Sequence, residues 1–267
     1  GELHPQTLAA QGLYGRLLVQ RGEFGQAEQV LRDASDKSTR VFGADHPETL
    51  IKLADLADAL AEQRKFDEAE ALFRRVLDAR RRISGPTHPN TLVEQATYAM
   101  MLQTQKKYPE AEALIRDALV KYRATLGDDH EDTVRTMVNL ASVLGRQYKF
   151  AEAEPLYREA IAAYERSRGK EYAGIVNIRV RLGEALTGLH RFPDAESELL
   201  TAQSAIEKSP GVFTRALKPN LKALAVLYES WDKSQPGRGH GVRATEWQTK
   251  LDALHATTLP TTIKSSP

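Results

Sequence analysis

An all-α array of stacked helix pairs is the fold this sequence predicts, and three sets of residues carry that expectation. The pentapeptide His46-Pro47-Glu48-Thr49-Leu50 is preceded by His4-Pro5-Gln6-Thr7-Leu8 and followed by His88-Pro89-Asn90-Thr91-Leu92, then by a degraded copy, His130-Glu131-Asp132-Thr133-Val134, always at a step of 42 residues. The pairs Ala27-Glu28, Ala69-Glu70, Ala111-Glu112, Ala153-Glu154 and Ala195-Glu196 keep the same step, and so do Gly43, Gly85, Gly127, Gly169 and Gly211. A period of this size means tandem supersecondary units, none of which can bury its apolar face alone. One continuous solenoid is expected over residues 1–254, with units at 4–43, 46–85, 88–127, 130–169 and 172–211 and a partial unit at 214–254.

Within one unit, Thr49 to Gln63 carries Leu53, Leu56, Ala57 and Leu60 at steps of three and four, one apolar stripe on a first helix. Pro47 suits its first turn, where a missing N–H costs nothing, and His46 or Asp45 suits its cap. Arg64-Lys65 then reads as a short turn. Phe66, Ala69, Leu72, Phe73, Val76, Leu77 and Ile83 form the stripe of a second, longer helix, and Gly85 ends it where a left-handed residue is wanted. The fifth unit replaces the opening motif by Tyr172-Ala173-Gly174-Ile175 but keeps Leu182, Gly183, Leu186, Phe192, Ala195 and Leu199 in phase.

In the sixth unit Leu224-Ala225 and Leu227-Tyr228 resemble the first helix, and Ala244, Trp247 and Leu251 the second. The Gly/Pro-rich stretch 234–241 between them reads as a long, mobile loop. Both tryptophans, Trp231 and Trp247, fall here and are expected to close the core. Residues 255–267, rich in Thr, Ser and Pro, read as a disordered tail.

Composition excludes several kinds of protein. Lys+Arg 37 against Asp+Glu 36 leaves a net charge of +1, so no global field draws the chain to nucleic acid or to anionic lipid. There is no cysteine, hence no disulfide, thiolate metal site or cysteine nucleophile. Mean hydropathy is −0.46 and no apolar run approaches the ~20 residues of a membrane span. A cytoplasmic location is expected. The chain opens Gly1-Glu2-Leu3 and enters the repeat at once, which suggests a piece of a longer protein.

The His-Pro-x-Thr-Leu opening and the 42-residue period resemble the long tetratricopeptide repeats of kinesin light chains and of many bacterial signalling proteins. Leu140-Ala141, Leu144, Ala153, Tyr157 and Ala160 match the spacing of the common 34-residue repeat, except that the second helix runs on through Tyr164 to Gly169 where a proline would end it. The resemblance covers about residues 4–254. It implies a right-handed α-solenoid of antiparallel helix pairs whose first helices line a concave groove and contact an extended peptide. Carried over residue by residue, the groove positions are Asp55, Asp58 and Glu62 in the second unit, and Thr97, Met100, Gln103 and Thr104 in the third. In the fourth they are Arg135, Asn139, Ser142 and Arg146, and in the fifth Asn177, Arg181 and Glu184. Asn139 stands where the family often hydrogen-bonds the ligand backbone; Leu13, Asp55, Thr97 and Arg181 stand there in the other units.

Read for chemistry, the repeated residues point to structure. His4, His46, His88 and His130 belong to successive units, about 10 Å or more apart by helix packing, and cannot converge on one metal ion. Glu28, Glu70, Glu112 and Glu154 each have an arginine four residues on, the order that supports an exposed helix by ~0.2–0.5 kcal/mol, rather than a catalytic role. Arg80-Arg81-Arg82 suits the last turn of a helix better than a nucleic-acid patch. Gly22-Glu23-Phe24-Gly25 is no phosphate loop, His130-Glu131 lacks a second histidine, and no nucleophile elbow occurs.

No cofactor and no metal are therefore expected. The function expected is a non-catalytic scaffold holding a protein or peptide segment, acidic at one end, in a groove acidic near its N-terminal end and basic near its C-terminal end. Two rivals are a regulatory segment of a larger enzyme, such as a bacterial serine/threonine kinase or a protease, and a self-association module. No nucleic-acid or membrane partner is expected.

Overall fold

The pentapeptide motif earns each of its residues. His46 lies in extended backbone (φ −65°, ψ 140°), and its Nδ1 accepts the backbone N–H of Glu48 at 3.2 Å. His46, not Asp45, is thus the cap. Pro47 fills the first turn, Thr49 donates its hydroxyl to the Gly43 carbonyl at 2.8 Å, and Leu50 is buried in the core. The third unit repeats this with His88 on Asn90 (3.2 Å) and Thr91 on Gly85 (2.9 Å). The first does so with His4 on Gln6 (3.3 Å) and Thr7 on Gly1 (3.2 Å), and His130 still caps Asp132 at 3.2 Å without the proline. The glycines before the motif take the positive φ expected of a left-handed residue, 93° at Gly85. Gly43 and Gly169 combine φ of 100° and 85° with ψ of 162°, a region essentially closed to side chains.

The structure, a computed structural model, describes residues 1–170 and 172–258, with side chains as far as Leu254. Among the described residues it is twelve helices with no strand: α1 Pro5–Gln20, α2 Phe24–Phe42, α3 Pro47–Glu62, α4 Phe66–Ile83, α5 Pro89–Thr104, α6 Tyr108–Leu126, α7 Glu131–Arg146, α8 Phe150–Arg168, α9 Ala173–Gly188, α10 Phe192–Lys208, α11 Thr214–Ser234 and α12 His240–Thr258. None of them is long and apolar enough to cross a membrane. The odd-numbered helices are the first helices of the units and the even-numbered the second, as the period predicts.

The first helices of the first five units end in the short turn expected at Arg64-Lys65, whose left-handed geometry the sequence did not announce. Lys65 N–H bonds the Leu60 carbonyl and Arg64 N–H that of Ala61, both at 2.9 Å, with Arg64 at φ 63°. This is a Schellman turn. The left-handed position is glycine in the first unit, Gly22, but Lys106, Tyr148 and His190 in the third to fifth.

The chain divides into two compact units, Gly1–Thr125 and Leu126–Pro267. In the first, α1 packs on α2, α2 on α3, α3 on α4 and α4 on α5, while α1 also touches α3. Its core includes Leu50, Leu53 and Ala54 of α3 against Val76 and Ala79 of α4, with Leu72 half-buried beside them. In the second, α7 packs on α8, α8 on α9, α9 on α10, and α11 on α9, α10 and α12.

Four expectations change in detail. Ile83 is half exposed rather than part of the buried stripe. The 234–241 loop shrinks to residues 235–239, because Asp232 accepts the Gly241 N–H at 2.9 Å and the His240 ring stacks on Trp231 at 4.1 Å. Trp231 also stacks on Phe192 at 5.6 Å, whereas Trp247 sits under Lys250 instead. The segment expected as a tail is helical to Thr258, and from 259 on it lies outside the described residues.

Candidate functional site

The outward faces of the first helices carry the residues expected to meet a partner, and each unit gathers them differently. In the compact unit Gly1–Thr125, Asp55 and Asp58 of α3 lie beside Glu94 of α5, and Glu62 adds a further charge one turn along. Crowding by protein atoms removes water from these carboxylates. Burial pushes Asp58 up to about 7, with Asp55, Glu94 and Glu62 adding like-charge repulsion, and it pushes Asp55 up to about 6 against the opposing pull of Arg16 and Lys52. Glu94 is raised for the same reason, with Arg80 opposing.

The pairing of this acidic group is thin. Arg16 Nε stands 3.6 Å from Asp55 and Arg80 3.8 Å from Glu94, beyond good hydrogen bonds, and Asp55 Oδ2 is buried with no hydrogen-bond partner. Lys52, buried almost completely, is held by Glu48 at 2.9 Å and lays its stem against Gly12 of α1. Met100 is 62 % exposed on the same row, Gln103 is half-buried, and the Thr97 and Thr104 hydroxyls donate to their own helix. Glu94 and Arg16 were missed. Glu94 precedes Thr97 by three residues on one helix face, which was signal enough.

In the compact unit Leu126–Pro267 the sign reverses. Arg146 of α7, Arg181 of α9 and Lys222 of α11 all act on Glu184, partly offsetting the burial that raises that carboxyl. Arg181 also reaches the buried Tyr157 hydroxyl, which bonds Ser142 at 3.3 Å. Ser142 gives its own proton to Val138 at 2.7 Å. Asn139 and Asn177 are exposed. Arg135 is not part of this group, since Asp132 on its own helix holds it at 2.6 Å. Lys222 was missed because the sixth unit was read only for its apolar residues.

The repeated glutamates are more than surface partners of arginines. Glu28, Glu70, Glu112 and Glu154 do bind Arg32, Arg74, Arg116 and Arg158 at 2.6–3.0 Å. Three of them, however, also receive a cation from the turn of the following pair: Lys65 on Glu28, Lys107 on Glu70 and Arg191 on Glu154, each at 2.7 Å. The carboxylates are only 14–16 % exposed, so they clip one helix pair to the next. The Lys65 hydrogen bond, with help from Gln63 and Arg32, holds Glu28 down at about 2. The arginine run is likewise dispersed: Arg80 is buried towards Glu94, Arg81 bonds Gln95 at 3.2 Å and Arg82 pairs with Asp45 at 3.0 Å. No cluster of three or more His, Asp or Glu suited to a metal ion occurs among the described residues.

A family model described as tetratricopeptide repeat matches residues 6–82, 50–119 and 92–166. No curated protein matches this chain in sequence. Among solved structures, kinesin light chain TPR-like repeats from Podospora anserina superpose with a TM-score of 0.70 at 21 % identity, over 77 % of this chain and 98 % of that one. BtubC from P. vanneervenii gives 0.68 at 16 % identity, over 77 % and 82 %. A Rap protein gives 0.54 at 13 % identity, over 94 % and 74 %. The helix pairs, their capping motif and the family match over residues 6–166 together establish that this chain belongs to the tetratricopeptide repeat family.

Proposed function

We propose that the chain is a non-catalytic scaffold that holds segments of a partner protein against the outward faces of its first helices. One observation carries this reading. Many charged residues elsewhere are matched in pairs and clips, but Asp58 faces only like charges, and Arg146, Arg181 and Lys222 outnumber the one carboxylate among them. Charge left unmatched in crowded surroundings costs stability, and a partner of opposite sign would recover it. Of the two compact units, Gly1–Thr125 then receives Lys or Arg side chains. The second receives carboxylates, for which guanidinium offers bidentate pairing, while Asn139 and Asn177 can bond the ligand backbone. The Rap protein of the comparison was solved with competence and sporulation factor, which supports a fold of this kind holding a separate molecule.

The test begins with a partner retained from an extract by the immobilised chain and identified by mass spectrometry. Its purified binding region is titrated against Asp55→Lys/Asp58→Lys and Arg146→Glu/Arg181→Glu. Each double variant is expected to weaken binding about tenfold and to flatten its salt dependence, with the helical circular dichroism unchanged. A partner that binds both variants as tightly as the parent would overturn the reading.

A further inference from the structure

The fifth unit breaks the pattern of ion pairs on its second helix, and a cavity stands where the break occurs. The outer position filled by Arg32, Arg74, Arg116 and Arg158 in the first four units is Leu200 in α10. Glu196, which such an arginine would have bound, is taken instead by Arg243 at 2.7 Å and Tyr228 at 2.5 Å. The connecting-loop position that holds Asp45 in the second unit and Asp129 in the fourth is Phe213, and its neighbour Val212 is 67 % exposed. Leu200 is 38 % exposed. An ion-paired surface has been exchanged for apolar side chains left open to water, which costs solubility and stabilises nothing in the chain itself.

These residues, with Val176 of α9, line a half-open cavity of about 780 Å³, within the range of ligand sites. Along α10 it runs from Ser197 to Lys208, roughly 16 Å at 1.5 Å per residue. Lys170 precedes α9 and Lys208 ends α10, so in an antiparallel pair both ammonium groups stand at one end. No carboxylate is among the described lining residues. Hydroxyls line the slot as well, from Ser197, Thr201, Ser204 and Ser209.

We infer that this cavity is a second binding site, for a short extended peptide with apolar side chains followed by an acidic end. Two lysines, with no carboxylate among the described lining residues, select the anion, and Leu200, Val212 and Phe213 take the apolar part. The hydroxyls and the open side favour a peptide over a lipid chain, since a backbone can use hydrogen-bonding groups and tolerate water where an alkyl chain cannot. A slot of that length holds about five residues at ~3.3 Å each. The site uses the second-helix side of the array, so it does not depend on the function proposed above.

The probe is a pool of fluorescein-labelled pentapeptides with Leu, Val or Phe at the first three positions and Asp or Glu at the last two, read by fluorescence anisotropy, with dodecanoate as competitor. Leu200→Arg restores the residue that four other units carry and so preserves the fold. It is expected to weaken the best peptide about tenfold or more, and Lys170→Glu/Lys208→Glu to abolish the salt dependence, while Arg146→Glu/Arg181→Glu has no effect. Saturation of no peptide up to about 1 mM, equal binding to the Leu200→Arg chain, or displacement by micromolar dodecanoate would each overturn the inference.

Discussion

Arg64, Lys106, Tyr148 and His190 hold φ near 60°, a conformation that costs a residue with a Cβ roughly 1–2 kcal/mol and glycine almost nothing. Gly22 shows that the turn accepts glycine at that position. Arg64→Gly and His190→Gly are each expected to raise the unfolding free energy by about 0.5–1 kcal/mol, part of the gain being lost to the freer unfolded chain, as read from urea midpoints at constant slope. Asp58 is the opposite case, a residue whose charge works against the fold. Its pKa is raised from 3.8 to about 7, so the folded state binds the proton more tightly than the unfolded one. The resulting stability is complete below pH ~4 and disappears as pH rises through 7. Asp58→Asn should therefore stabilise the chain by about 1–2 kcal/mol at pH 8 and little at pH 4, which thermal melts at the two pH values will show.

At the scale of the element, the pentapeptide is a self-contained starting device. His88→Ala should cost about 1 kcal/mol through loss of the cap, and Thr91→Val about the same, because it leaves the Gly85 carbonyl without that bond. The first five helix pairs also keep a small residue at one position that obeys the period. Gly15, Ala57, Ala99, Ala141 and Gly183 occupy it, and a Cβ on Gly15 or Gly183 would meet Leu31 or Leu199 at 2.5 Å. The alanine units place Phe73, Ile115 and Tyr157 at the leucine position instead, so small and large residues have been exchanged in concert. Gly183→Ala alone is expected to destabilise by about 1–3 kcal/mol through overpacking, measured by chemical denaturation, despite alanine's better helix propensity. A neutral or stabilising result would show that Leu199 can move aside.

Across the whole molecule, the two kinds of carboxylate give stability an optimum in pH. Glu28 is held down at about 2 by its cations, so its contribution is present above pH ~4.5 and lost as pH falls towards 2. Asp55 and Asp58 contribute in the opposite direction between pH ~4 and 7. Stability should peak near pH 4–5, lower than for a protein whose carboxylates are all ion-paired. With Asp55→Asn/Asp58→Asn the peak should broaden towards neutrality, as a series of thermal melts will show. At the C-terminal end the stack of Phe192, Trp231 and His240 closes the last pairs. Trp231→Ala should cost about 2 kcal/mol and lower the melting temperature of the Leu126–Pro267 unit.

The sequence by itself determined what depends on neighbours in the chain. Helix starts at Pro5, Pro47 and Pro89, caps at or just before the motif histidines, a buried leucine or valine after each motif threonine and the Glu-to-Arg pairs all follow from spacing, because a helix brings residues three and four apart together whatever surrounds it. The left-handed turn at Arg64 was hidden because two of its three later copies, Lys106 and His190, carry polar or charged side chains that give no sign of positive φ, and Tyr148 gives none either. Tertiary structure alone decided the rest. It brought Glu94 beside Asp58, turned Glu28 from an exposed partner into a clip between helix pairs, gave Arg135 to Asp132 and opened a cavity beside Leu200. Each of these depends on which side chains from different helices share a space and how much water is left there. Both the charge of a carboxylate and the binding capacity of a cavity are set by that exclusion of water, which no spacing along the chain records.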